Sequence, residues 1–160
     1  MNEWGSHLPP LMACCAATSG PVLEVGMGDY STPLLHSYCA AAGRLLISAE
    51  TNLDWREKFR WCECPHHRLT DIKDYAELAI FSHQFFGVVF LDHSHGDRRA
   101  GDAMLFKDNS EYILIHDAQA DDVMRPLNPL LQHFPYQKIY ERYFPHTIVL
   151  SAKRPIPEGI

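Results

Sequence analysis

The chain has 160 residues, 46% of them hydrophobic, enough to bury one sizeable core and too few for two domains to be the better expectation. A formal net charge of −6 excludes a broad basic surface and argues against extended binding to nucleic-acid phosphates. No run approaches the ~18 apolar residues of a membrane span, and Met1-Asn2-Glu3-Trp4-Gly5 lacks the positive start of a signal peptide, so one cytoplasmic domain over residues 1–160 is expected.

Short β-branched runs alternate with longer amphipathic ones, as a mostly parallel α/β sheet covered by helices on both faces requires. The first strand spans 21–25 and leaves through Gly26-Met27-Gly28-Asp29. A helix over 32–42 follows, capped by Ser31 or Thr32, with Pro33 in its first turn and Leu34, Leu35 and Tyr38 on its buried face. Gly43 stops it, and strand two covers 44–48 and ends at Glu50. Thr51 or Asn52 caps a helix carrying Trp55, Phe59 and Trp61, and 67–70 makes a short third strand finishing at Asp71.

A helix over 74–83 leads to strand four at 87–91, the most β-like run, and 98–106 is helical again. Strand five, 112–115, ends at His116-Asp117. After a helix around 122–133, two strands at 136–142 and 146–152 form an antiparallel hairpin at the sheet edge, turning near Pro145. That gives about seven strands. The tail 154–160 is not expected to be ordered on its own.

Five cysteines, Cys14, Cys15, Cys39, Cys62 and Cys64, match no disulfide framework and read as reduced thiols. Cys62-Glu63-Cys64-Pro65-His66-His67 is too crowded for CxxC zinc geometry, has no second knuckle, and reads as a surface loop after a helix.

In an open parallel sheet, ligands bind outside the carboxyl ends of the strands. Those ends here are Gly26-Met27-Gly28-Asp29, Glu50, Asp71, Asp92 and Asp117, a concentration of glycine and carboxylate that describes a ligand cleft. Gly26 and Gly28 let the backbone turn sharply and approach a ligand. Glu50, 24 residues after Gly26, sits where a carboxylate accepts bonds from both ribose hydroxyls.

The run Val22-Leu23-Glu24-Val25-Gly26-Met27-Gly28-Asp29-Tyr30-Ser31 resembles the first motif of the class I S-adenosylmethionine-dependent methyltransferases. The resemblance implies a Rossmann-like, doubly wound fold with S-adenosylmethionine as cofactor. It places Glu24 and the Gly26 to Gly28 backbone, with Asp29 and Ser31, against the methionine part, Glu50 on the ribose, and Asp71 with Ile72 beside the adenine. Tyr30 or Ser31 stands at the third small position, a departure that also counts against a dinucleotide site.

Phe90-Leu91-Asp92-His93-Ser94-His95, with Asp102 and Ile113-Leu114-Ile115-His116-Asp117-Ala118, is similar to the metal-assisted small-molecule O-methyltransferases. This implies Asp92, also on the cofactor, and Asp117 as ligands of a divalent ion such as magnesium. His95 and His116 would shift the preference toward manganese or zinc, and His116 joins the candidate ligands. The acceptor would be a small hydroxylated metabolite, with His93 or His95 as the base. About twenty residues precede strand one where the family usually has a helical lid, so the site is open or is covered by a second copy, with 8–17 as the homodimer contact.

Two other readings compete. His93-Ser94-His95-Gly96-Asp97 fits the HxHxD spacing of zinc hydrolases of the metallo-β-lactamase type, although Arg98 stands where a further histidine belongs. The domain could also bind S-adenosylmethionine without methylating, as a regulatory module or as an enzyme that cleaves or cyclises the cofactor.

Overall fold

The computed structural model describes residues 5–160; residues 1–4, read above for a leader, lie outside them. Seven strands form one sheet: β1 (Val22–Val25), β2 (Leu46–Glu50), β3 (His67–Asp71), β4 (Phe86–Leu91), β5 (Ser110–His116), β6 (Tyr136–Tyr140) and β7 (Thr147–Ser151). Their order is β3-β2-β1-β4-β5-β7-β6, with β1 to β5 parallel and β7 antiparallel to both β5 and β6. The expected C-terminal hairpin is present, with β7 inserted against β5 and the exposed β6 at the margin.

The strands alternate between two buried faces, as a doubly covered sheet demands. Leu23, Val25, Val89, Leu91, Ile113 and Ile115 point into one core with Tyr75, Leu78 and the helices α4 (Arg99–Phe106) and α5 (Asp121–Leu127). Val22, Leu46, Val88, Phe90, Tyr112 and Leu114 point into the other, against α1 (Leu8–Ala16) and α2 (Ser31–Ala41). The short helix α3 (Leu53–Lys58) is capped by the Asn52 side chain, which accepts from the amides of Asp54 and Trp55.

The stretch expected at a dimer contact forms α1, whose Leu11, Cys14 and Cys15 are buried against the chain's own sheet. Two expectations change. The helix expected over 74–83 is a 3-10 helix, Tyr75–Phe81. Its apolar residues Tyr75, Leu78 and Phe81 recur every third position, which three residues per turn keep on one side. The tail is docked: the Tyr112 hydroxyl donates to the Pro155 carbonyl at 2.8 Å, and Ile156 and Ile160 join the second core.

Downstream of β5 the α-helical part stops at Leu127, because Pro126 and Pro129 interrupt the amide ladder and the chain continues as a 3-10 turn. All five cysteines are free, and no helix among the described residues is long and apolar enough to cross a membrane.

Candidate functional site

The chain reverses its winding between β1 and β4, whose neighbours lie on opposite sides, so a crevice opens at their carboxyl ends. Two cavities occupy it. One, about 260 Å³, is lined by Gly26, Met27, Glu50, Thr51, Asn52, Trp55, Tyr75, Asp92, His93 and Ser94. The other, about 450 Å³, shares Met27, Trp55 and Asp92 with it and adds His7, Gly28, Asp29, Tyr30, His116 and Asp117. Together they lie in the size range of small-ligand clefts.

The glycine turn is enforced from several directions. Gly26 has φ +89°, and a Cβ there would stand 2.7 Å from the backbone of Asp92 and His93, so both conformation and close approach of the β4 loop require glycine. The Glu50 carboxylate accepts the Met27 amide at 2.9 Å and, through its other oxygen, the amides of Thr51 at 2.8 Å and Asn52 at 2.9 Å. Expected to hold a ribose, Glu50 also ties the end of β2 to the turn after β1, with a lone pair left over for a ligand.

Glu24 lies wholly inside the protein, below the cleft floor. It accepts the Thr32 hydroxyl at 3.0 Å and the Ser48 hydroxyl at 2.6 Å, and Thr32 in turn accepts the Gly28 amide at 2.9 Å. Its reach toward a ligand therefore runs through Thr32 and the turn. Ser31, also bonded to Glu24, is buried at the start of α2, so both expected cap residues face inward. Burial pushes the Glu24 carboxyl up to about 7, against the pull of the Ser31, Ser48 and Thr32 hydroxyls.

Other sequence-predicted residues divide. Asp92 and His116 meet, with His116 Nδ1 3.1 Å from an Asp92 oxygen and His116 Nε2 3.1 Å from the Ser6 hydroxyl. Ser6 is itself buried, so this Ser-His-Asp chain orients the imidazole and offers no accessible nucleophile. Asp29 lines the larger cavity and pairs with Lys58. Asp71 is exposed and paired with Arg56 at 2.9 Å, while Ile72 is buried in the core. Trp55 and Tyr75 line the smaller cavity, while Asp71 and Ile72 line neither.

His93 is buried with Nε2 2.9 Å from Asp102 and its ring stacked on Tyr75 at 4.1 Å. Burial lowers its pKa, with Asp102 pulling the other way. His95 is exposed and lines neither cavity of the cleft. His93 and His95 are in no potential metal cluster among the described residues, which counts against the zinc-hydrolase reading.

The divalent-ion set fits poorly. Arg99, absent from the sequence-based selection, extends its guanidinium between the two carboxylates, 3.4 Å from Asp92 and 3.0 Å from Asp117. A resident cation thus stands where the ion was expected. Donor atoms of His7, Asp92 and His116 do lie within 4.8 Å of one another, but Asp92 already serves His116 and Arg99.

His7 is the other residue the sequence reading missed. It is 3% exposed, lines the larger cavity, and has both ring nitrogens buried with no hydrogen-bond partner among the described residues. Burial lowers its pKa to about 4, with Asp92 raising it and His116 lowering it further. Its only signal in the sequence is its place before Leu8-Pro9-Pro10, where α1 begins.

No family model and no curated protein matches the chain. Solved structures match it by fold. The SAH-bound methyltransferase PaMTH1 of Podospora anserina superposes with a TM-score of 0.73 and 14% identity, covering 93% of this chain and 78% of that one. Human methyltransferase-like protein 13 in complex with SAH gives 0.68 and 14%, covering 91% and 82%. A fibrillarin/Nop5p complex gives 0.57 and 13%, covering 92% and 81%. The chain has the Rossmann-like methyltransferase fold.

Proposed function

We propose that the chain, as a single domain, is an S-adenosylmethionine-dependent methyltransferase acting on a small hydroxylated compound. The observation that carries this reading is the cleft at the β1/β4 switch point, where the Glu50-braced glycine turn faces Trp55 and Tyr75 across a cavity continuous with His7, Asp92 and His116. The residues fit the cofactor: a carboxylate at the end of β2 for a ribose, aromatic walls for a flat base, and close-approaching glycine backbone for the methionine part. When bound, S-adenosylmethionine supplies an electrophilic methyl group on a sulfonium sulfur.

The protein's own work is placement and proton removal. His7, neutral because burial disfavours its charged form, is the base assigned to the acceptor's hydroxyl proton; both its ring nitrogens are buried without a hydrogen-bond partner among the described residues, so the role requires its edge to open onto the cavity as the acceptor seats. Asp92, held by His116 and Arg99, offsets the charge that then forms on the imidazole. His7 replaces His93 and His95 in this role, since His93 is committed to Asp102 and His95 lies outside the cleft. No step runs through a divalent ion, because Arg99 already bridges Asp92 and Asp117.

The preference for a small acceptor over nucleic acid rests on the charge of −6 and the small-ligand size of the cleft, and the likeness to the fibrillarin/Nop5p complex lends it no support. Incubation with methyl-labelled S-adenosylmethionine and a panel of catechols, sugars and RNA tests the reading. Label in a small hydroxylated product, matched by equal S-adenosylhomocysteine, is the expected result. Label in RNA would overturn the acceptor class, and cofactor breakdown without a methylated product would overturn methyl transfer itself.

A further inference from the structure

On the face of the sheet opposite α4 and α5, away from the cleft, lies a second group of ligand-type side chains. His36 comes from α2, Cys62 from the turn after α3, and His67 from the first position of β3. One donor atom from each lies within 4.8 Å of the other two. His36 Nδ1 stands 3.2 Å from His67 Nδ1. Two imidazole nitrogens on one tetrahedral zinc-sized ion, each at about 2.0–2.1 Å, are separated by about 3.3 Å, so this hydrogen-bonded pair needs little movement to share an ion.

The proton positions favour the same reading. With Glu24 ionised, Ser48 donates its hydroxyl to it at 2.6 Å, and the 2.8 Å contact with His67 Nε2 is then a bond that His67 donates. His67 therefore carries its proton on Nε2 and turns a bare lone pair on Nδ1 toward His36. A ligating histidine that gives its other N–H to a relay ending on a carboxylate is the usual support of a metal site. The sheet register builds that relay, since His67 pairs with Leu46, two residues before Ser48, and Ser48 pairs with Glu24.

The backbone holds the ligands ready. Cys64 and His67 exchange both backbone hydrogen bonds at 3.0 Å, closing Cys64-Pro65-His66-His67 into a tight loop that returns the chain past Cys62. Cys62 and His67 are buried and His36 half-buried, with the Trp61 ring edge-on to His36 at 5.6 Å. The crowded Cys62 to His67 segment supplies two ligands on its own; the fold adds His36 from 26 residues upstream of Cys62.

We propose that His36, Cys62 and His67 bind one zinc-class ion, which clips α2 to the connection between α3 and β3. Two nitrogens and one sulfur suit a borderline ion and disfavour magnesium or calcium. Water takes the fourth position. Binding exchanges the Cys62 S–H bond for an S–metal bond and releases that proton to solvent, while His36 moves its Nδ1 proton to Nε2 and changes no charge.

The test is titration of the reduced, chelator-treated full chain with cobalt(II), which needs no methyl acceptor and is independent of the cofactor reading. One equivalent is expected to give the visible bands of tetrahedral cobalt and an ultraviolet thiolate-to-cobalt band, both removed by one equivalent of zinc. Cys62→Ser should abolish the ultraviolet band, His36→Gln should weaken binding at least tenfold, and Cys64→Ser should change neither band. Circular dichroism establishes that each variant is folded, and His36, being half-buried, provides the variant least prone to misfolding. An octahedral spectrum, no spectrum, or an ultraviolet band that survives Cys62→Ser would overturn the proposal.

Discussion

The Glu50 carboxylate accepts the Met27 amide at 2.9 Å, so a residue closing β2 fixes the turn that follows β1. Substituting Glu50→Gln replaces an oxygen that accepts amide protons by an NH2 that cannot, and also removes the charge proposed to hold the ribose. Affinity for S-adenosylhomocysteine should fall by about 1–3 kcal/mol, the range for a lost hydrogen bond to a charged group. Calorimetric titration checks this, and unchanged affinity would remove Glu50 from the binding site.

Gly26→Ala should abolish cofactor binding and cost stability, because the new methyl would sit 2.7 Å from the Asp92 and His93 backbone at a φ of +89°. Gly43→Ala is the matched control, with φ +64° and nothing within 4 Å. It should cost only the backbone penalty of about 1–2 kcal/mol and leave binding intact. Equal effects of the two on binding would show that close approach at Gly26 has no functional weight.

His7 as base sets the acid limb of the rate profile. Its pKa is lowered to about 4, so it is unprotonated above about pH 5 and kcat/KM should be flat from there to neutrality. A limb near the ordinary histidine value of about 6.5 would contradict His7 as the base. His7→Gln should lower kcat by roughly 100-fold or more with cofactor affinity unchanged.

Glu24 makes stability depend on pH in an unusual direction. Its carboxyl is raised from 4.5 to about 7 in the folded chain, so the unfolded chain releases its proton first. The contribution is fully present below about pH 4.5 and declines as pH rises through 7, by about 3 kcal/mol in total. Relative to Glu24→Gln, urea midpoints of the natural chain should therefore fall across this window. A constant difference between the two proteins would show that Glu24 ionises normally.

The strands and the cleft were legible because buried runs such as Val88-Val89-Phe90-Leu91 end abruptly in a polar residue, here Asp92, at the edge where ligands bind. The residues that complete the site were not. His7 and Arg99 reach the cleft through the packing of α1 and α4 onto the sheet, and no local spacing announces either one. The Cys62 segment read as a loop for the same reason, since His36 approaches it from another helix. Tail docking likewise depends on Tyr112 and Glu111, residues more than forty positions away.

The most direct test of the cofactor claim is isothermal titration of the purified chain with S-adenosylmethionine and S-adenosylhomocysteine. The structure's cleft predicts one site per chain, with micromolar binding of at least one ligand that Gly26→Ala abolishes. A folded chain that takes up neither ligand would contradict the account.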